Sequence, residues 1–268
     1  QFHWILAAKE LGRYDSAVEI AREYLARYPS SESVDDALYL IAHTLMDGRR
    51  FEEAIQALSQ LANGASDTQL RTASLFQRGQ CYLRVGENSA ARNDFEHVVA
   101  TDLETPLYEK SKLWTGISHF LDRSFEAALA VFNALSKETE NRELKGESSY
   151  RAATSLYSLY RYDESETLLR SFFIDHPNHP RQFEGQLLHG DCLFAQNRFE
   201  EAVQRYQSIP ADFPELAHLA ALQSSDAYNK LGRPDDALAV LRRQAKISQD
   251  PYRTIEIRLI TAQTQWEN

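Results

Sequence analysis

A six-residue phrase recurs along this chain at a fixed interval, and that interval constrains the fold more than any other property of the sequence. It runs from Gly12 to Ala17, from Arg49 to Ala54 and from Asn197 to Ala202, with variants ending at Ala91, Ala128, Ser165 and Ala237. Successive last residues are 37, 37, 37, 37, 37 and 35 positions apart. Unrelated elements have no reason to keep such a register, so the chain is a tandem array of one module. The units span residues 1–34, 35–71, 72–108, 109–145, 146–182, 183–217 and 218–250, with a partial unit at 251–268.

Each unit reads as two amphipathic helices. In the third, Ala73 to Val85 predicts a first helix, Gly86 to Asn88 a turn, and Ser89 to Thr101 a second helix with Ser89 as its cap. Leu75, Gly79, Tyr82, Ala91, Phe95 and Val98 fall at helical spacings and mark the inward stripe. An aromatic stands before the second helix in five units, as Tyr14, Phe51, Phe125, Tyr162 and Phe199, and predicts a staple from the turn to the next hairpin. Small residues recur in the second helix (Ala17, Ala54, Ala91, Ala128, Ser165, Ala202, Ala237). They recur in the first helix too, as Ala42, Gly79, Gly116, Ala153, Gly190 and Ser225, with Ile5 in the first unit. Glycine is costly inside a helix, so these positions predict a close crossing where small residues face one another.

Composition removes other classes. Ten Gly and 8 Pro in 268 residues are too few for a sandwich or barrel with a turn every ~10 residues. Apolar runs such as Ala127 to Leu135 stop far short of a membrane span. A net charge of −10 with only seven Lys argues against a nucleic-acid partner, because neutralising phosphates takes a concentrated basic face. The chain starts at Gln1 without an initiator Met and reads as a fragment. Cys81 and Cys192 hold equivalent places three units apart, too distant to pair.

The module resembles the tetratricopeptide repeat (TPR) family. Gly79, Tyr82, Gly86, Ala91, Phe95 and Val98 occupy that family's signature places, and its closing proline appears as Pro29, Pro177 and Pro214. The period of 37 exceeds the family's usual ~34. Asn88 and Pro234 replace the turn aromatic, and the extra residues are expected to lengthen the turn between hairpins. The resemblance implies an all-α fold, a superhelix of seven hairpins plus a C-terminal helix in a single solenoid, with the first helices lining a concave groove. Ligand contacts of the family map onto Tyr39, His43 and Met46; Phe76, Gln80 and Leu83; and Leu113, Ile117 and Phe120. In later units they map onto Tyr150, Thr154 and Tyr157; Leu187, Asp191 and Phe194; and Leu222, Asp226 and Asn229.

This groove is aromatic in the middle and acidic toward the C-terminal end, and the family's carboxylate-binding Lys and Arg set is missing from those places. The implied function is a non-enzymatic scaffold for a protein or peptide partner with apolar or aromatic anchors, flanked by basic residues that meet Asp191 and Asp226, without a cofactor. Packing between successive first helices is the competing reading of the same aromatics. The alternatives are a structural segment of an envelope assembly, self-associating through its terminal helices, or the recruiting arm of a longer enzyme. Long-period members resemble bacterial envelope proteins, and 22 Arg against seven Lys suits a bacterial source, which together imply the periplasm or cell envelope.

No nucleophile, phosphate-binding or metalloprotease motif occurs. His176 and His179 have a metal-like spacing but lie between prolines, and read as a solvated loop. His189 and Asp191, two apart on one helix, point to different faces. Trp4, Trp114 and Trp266 are expected to pack between hairpins.

Overall fold

The computed structural model describes residues 7, 8, 10–101, 106–248 and 250–266. Fourteen helices and no strand occur among them. They form two compact units, residues 1–135 and 136–268. The first holds α1 (Tyr14–Arg27), α2 (Val34–Asp47), α3 (Phe51–Gly64), α4 (Thr68–Arg84), α5 (Asn88–Thr101), α6 (Pro106–Leu121) and the body of α7 (Phe125–Glu138). The second holds α8 (Arg142–Ser158), α9 (Tyr162–Asp175), α10 (Gln182–Ala195), α11 (Phe199–Gln207), α12 (Pro214–Lys230), α13 (Pro234–Ile247) and α14 (Pro251–Trp266). Each pair from α2/α3 to α12/α13 is one hairpin of the array. Trp4 and Ile5 lie outside the described residues, as does the side chain of Trp266.

One left-handed residue closes every hairpin turn. Gly12, Gly86 and Gly232 take it without strain, whereas Arg49, Arg123, Tyr160 and Asn197 hold φ of 59–61° despite their side chains. The following N–H reaches back five residues: Arg50 to the Leu45 carbonyl at 2.8 Å, Ser124 to His119 and Arg198 to Leu193 at 2.9 Å. This satisfies a carbonyl that the helix end would otherwise orphan.

The second helix opens on the aromatic itself, since Tyr14, Phe51, Phe125, Tyr162 and Phe199 are its first residues. The expected staple forms, but within one hairpin. Phe120 meets Phe125 at 5.1 Å between centroids, Tyr157 meets Tyr162 at 5.3 Å, and Phe194 meets Phe199 at 5.1 Å. α5 starts at Asn88, so Ser89 lies inside the helix rather than capping it. Where arginine caps the second helix its side chain turns inward along the chain. Arg50 grips both oxygens of Glu53, Arg161 those of Glu164 and Arg198 those of Glu201, while Arg233 donates to Asp236.

The small places of the two helices meet in the fifth repeat, where Ser165 Oγ donates to the Ala153 carbonyl at 2.8 Å, and the glycines on the first helices also seat a ring. A Cβ at Gly79 would stand 2.7 Å from Phe95, at Gly116 2.5 Å from Phe132, and at Gly190 2.3 Å from Tyr206. Each ring lies sixteen residues after its glycine and is at most 1% exposed. Where the first-helix residue is Ala or Ser instead, the same place holds a smaller side chain: Leu58 after Ala42, Leu169 after Ala153 and Leu241 after Ser225. Glycine therefore makes room for a ring, and each such ring contributes about 2–3 kcal/mol by leaving water.

The three residues beyond the usual period go to two places. After the first and fifth repeats, Pro29 and Pro177 sit in six-residue connections, as expected. Before α4 and α8 the connection shortens to three residues and the helix grows to 17. There Asp67 accepts from the Gln69 N–H, and Asn141 accepts from Glu143 and Leu144, so side-chain caps start the helix early. The short interval of 35 is explained by α11, which ends after 9 residues.

His176 and His179 are buried, 7% and 9% exposed, contrary to the solvated loop their prolines suggest. Their turn folds back onto α8, where the His179 ring packs on Gly146 and its Nε2 lies 3.1 Å from the Glu143 carbonyl. His179 Nδ1 accepts from the Arg181 N–H at 3.1 Å, which leaves Nε2 as the donor to that carbonyl. The pair contacts Phe172 and serves as packing between repeats.

Candidate binding surface

The residues mapped from the sequence lie on the first helices at different depths. In the first unit Tyr39 and His43 are half-buried with rings 4.4 Å apart. Gln77 from the next first helix lies 3.2 Å from the Tyr39 hydroxyl and 2.9 Å from His43 Nε2, which fixes that edge of the face. Phe76 and Leu113 are 8% and 9% exposed, and Phe76 packs against Phe95 at 5.7 Å. These two belong to the core. Phe120 is half-buried against Phe125.

Met46, Gln80, Leu83 and Ile117 come together as walls of a cleft of about 660 Å³ crossing α2, α4 and α6. Phe51, Trp114 and Leu121 complete its apolar surface, and Arg49 and Arg84 stand in its lining. Trp114 packs between hairpins as expected, stacked on Phe95 at 6.2 Å, while the three mapped places per first helix do not include the two arginines. The signal was available: Arg84 falls one residue after mapped Leu83, and Arg49 sits where other repeats carry glycine.

The second unit, by itself, carries carboxylates among the mapped residues of its first helices. Asp191 is half-buried and accepts a hydrogen bond from the Tyr206 hydroxyl at 2.9 Å. Burial pushes its carboxyl up to about 6. Burial also raises the Tyr157 hydroxyl, to about 12, with Asp191 adding to it, and it raises those of Tyr150 and Tyr206. Tyr150 is half-buried, with the Arg181 guanidinium 5.8 Å from its ring centroid. Tyr157 and Phe194 are half-buried against their partners in the staple, and Asp226 is exposed. His189 faces elsewhere, with Nε2 3.6 Å from Glu166, so it and Asp191 form no dyad.

Cys81 and Cys192 are free and buried, and burial pushes both thiols up to about 11. No cluster of three or more potential metal-ligating side chains occurs among the described residues. No described helix is long and apolar enough to cross a membrane.

Family comparison gives the same answer as the hairpin geometry: the tetratricopeptide repeat model matches residues 4–68, 76–141 and 150–217. The chain is a tetratricopeptide repeat protein. Over 183 residues it is 28% identical to a tetratricopeptide repeat protein 30 homolog from Aedes aegypti, covering 67% of this chain and 26% of that relative. The TPR chain thus spans about a quarter of the relative's length. A crystal structure of a tetratricopeptide repeat protein from Parabacteroides merdae aligns with a TM-score of 0.66 at 14% identity, over 97% of this chain and 96% of that one. The C-terminal part of a TPR repeat-containing protein from Cytophaga hutchinsonii aligns at 0.67 and 13% identity, over 96% and 99%. TPR proteins generally mediate protein–protein interactions and are typically non-enzymatic.

Proposed function

We propose that this TPR protein is a non-enzymatic scaffold that holds a partner peptide or helix against the face formed by its first helices. The observation that carries the reading is the apolar cleft across α2, α4 and α6; the second unit, taken by itself, carries half-buried Tyr150, Tyr157 and Phe194 on its own first helices. Half-buried rings offer a partner large apolar area with little side-chain entropy left to lose. Asp191 and Asp226 add carboxylates beside these rings.

The test is affinity capture followed by mass spectrometry with two sets of variants. Leu83→Ser, Tyr157→Ala and Phe194→Ala together should abolish capture while helical circular dichroism persists. Gln56→Arg, Glu96→Arg and Thr167→Arg, exposed on second helices, should leave capture intact. The reverse pattern moves the site to the second-helix face.

A second reading, docking into a larger assembly through α14, is favoured by one observation. Tyr252, Ile255 and Leu259 are 84%, 53% and 67% exposed, whereas His218, one period before Ile255, is 5% exposed. That face is of the kind a neighbouring helix covers. Mass measured by light scattering should rise with concentration, and a strict monomer at high concentration removes this reading.

A further inference from the structure

We propose that the cleft between α11, α12 and α13 binds a small planar aromatic molecule, of one or two fused rings, whose hydrogen-bonding edge meets Gln244 and Ser224. Its α12 wall is formed by Ala217, Ala220, Ala221 and Ser224, a helical stripe on the side of α12 away from Leu222, Asp226 and Asn229. The site is therefore separate from the first-helix face described above.

The preceding repeat shows what this place is shaped to hold. There a Cβ at Gly185 would stand 3.0 Å from the Phe173 ring, and that ring stacks on His189 at 5.8 Å between centroids. Ala220 and Ser224 follow Gly185 and His189 by the local interval of 35, and Pro210 follows Phe173 by 37. Neither ring has a successor. The second helix also ends early here, since α9 runs on to Asp175 whereas α11 stops at Gln207 after 9 residues. What remains is a cleft of about 280 Å³, walled by Tyr206, Ile209, Val240 and Ile247 together with the alanines. A cavity of ~150 Å³ takes a benzene ring, so one or two fused rings fit this volume.

Two polar side chains give the ligand its second property. Gln244 is 7% exposed and Ser224 1%, both line the cleft, and neither side chain makes a hydrogen bond among the described residues. Ser155 on α8, equally buried, instead donates to the Arg151 carbonyl at 2.9 Å. A buried amide and hydroxyl without partners cost free energy, and a ring N–H or heteroatom placed between them removes that cost. An aliphatic molecule would fill the volume and leave both groups unpaired. Ala211, Gln244 and Ile247 also wall a second cleft of about 500 Å³, which gives substituents on the ring an outlet. Apolar walls with a few convergent polar groups are the usual make-up of a small-molecule site.

The experiment uses the whole chain, isotope-labelled at Ile, Val and Ala methyl groups, and two probes of matching size and shape, indole and benzofuran. Indole carries an N–H and benzofuran does not. Titration followed by NMR should show indole binding with a Kd below about 5 mM and ring-current shifts at the methyls of Ile209, Val240 and Ile247. Benzofuran should bind about fivefold more weakly, and Gln244→Leu should erase that difference by removing the amide. Ser224→His, which restores the side chain of the preceding repeat, should fill the cleft and abolish binding with the thermal midpoint kept. Ala221→Leu closes the same cleft from α12 and gives a second blocking variant. No saturable indole binding up to about 10 mM overturns the proposal. So do shifts confined to residues outside the cleft, equal affinity of the two probes for the native chain, or unchanged binding in a folded blocking variant. Capture of a protein partner by the first helices should be untouched by these variants, so the two readings fail separately.

Discussion

Gly116→Ala separates two physical effects of opposite sign. On helix propensity alone, alanine in the body of α6 should stabilise the chain by about 1 kcal/mol. The packing predicts otherwise. A Cβ at Gly116 lies 2.5 Å from Phe132 Cε1 and 2.9 Å from Cδ1 and Cζ, whereas carbon atoms rest at ~3.5–4.0 Å. The ring would have to withdraw by ~1 Å from a site where it is 0% exposed. Overpacking of this kind costs about 1–3 kcal/mol, so the propensity gain is cancelled or outweighed and the net effect is a loss of up to about 2 kcal/mol. Phe132→Leu alone leaves a void and costs about 2 kcal/mol. Together the two changes recreate the arrangement native at Ala42 with Leu58 and at Ala153 with Leu169, whose members lie in common cores. The double variant should therefore exceed the sum of the single effects by about 2 kcal/mol in stability. Urea denaturation followed by circular dichroism measures this, with hydrogen exchange across α6 and α7 to localise it, because repeat arrays need not unfold in one step. A Gly116→Ala that stabilises the chain, or strictly additive singles, would refute the size match.

Tyr160→Gly should stabilise the second unit by about 1 kcal/mol, since Tyr160 holds φ of 61° and is 79% exposed; an unchanged urea midpoint would show that the turn stores no strain. Asp191→Asn should flatten part of the pH dependence of stability. The folded carboxyl titrates near 6 and its unfolded counterpart near ~3.9, so the native state keeps a proton the unfolded chain has released, and stability falls as pH rises between these values. The substitution should be worth about 2–3 kcal/mol at pH ~7.5 and little at pH ~4, and equal effects in urea titrations at both would contradict the assignment. Cys81 and Cys192 should resist a thiol reagent at neutral pH until denaturant is added, because both are buried with thiols pushed up to about 11; rapid labelling of native protein would contradict their environment.

The register and hairpin architecture were legible because they rest on residues that repeat every 37 positions, where chance agreement is negligible. The partner of each small residue was not. Gly79, Gly116 and Gly190 align with Ala54, Ala91 and their equivalents in a stripe that reads as helix meeting helix, while the ring each one seats is sixteen residues on. Only the coupled change of both places, Gly with Phe or Tyr against Ala or Ser with Leu, carries that signal. Prolines misdirected the reading of His176 and His179: Pro177 and Pro180 do mark an irregular turn, but Gly146 lets it sink onto α8. The arginine forks have their own sequence mark beside the turn aromatic, since Arg50, Arg161, Arg198 and Arg233 each precede an acid by three. The binding face was legible as a row of positions, with core Phe76 and Leu113 indistinguishable in apolar character from cleft-lining Leu83.

The pairing of each small residue with its ring has a genetic corollary. Both members lie within seventeen consecutive residues, from Gly79 to Phe95 or from Gly190 to Tyr206, so a duplicated or deleted gene segment one period long carries lock and key together. Crossovers that fall in the connections between hairpins keep every pair matched. A crossover inside a hairpin can join alanine to phenylalanine or glycine to leucine, leaving a clash or a hole. Arrays of this kind can thus change length by whole modules with every pair still matched.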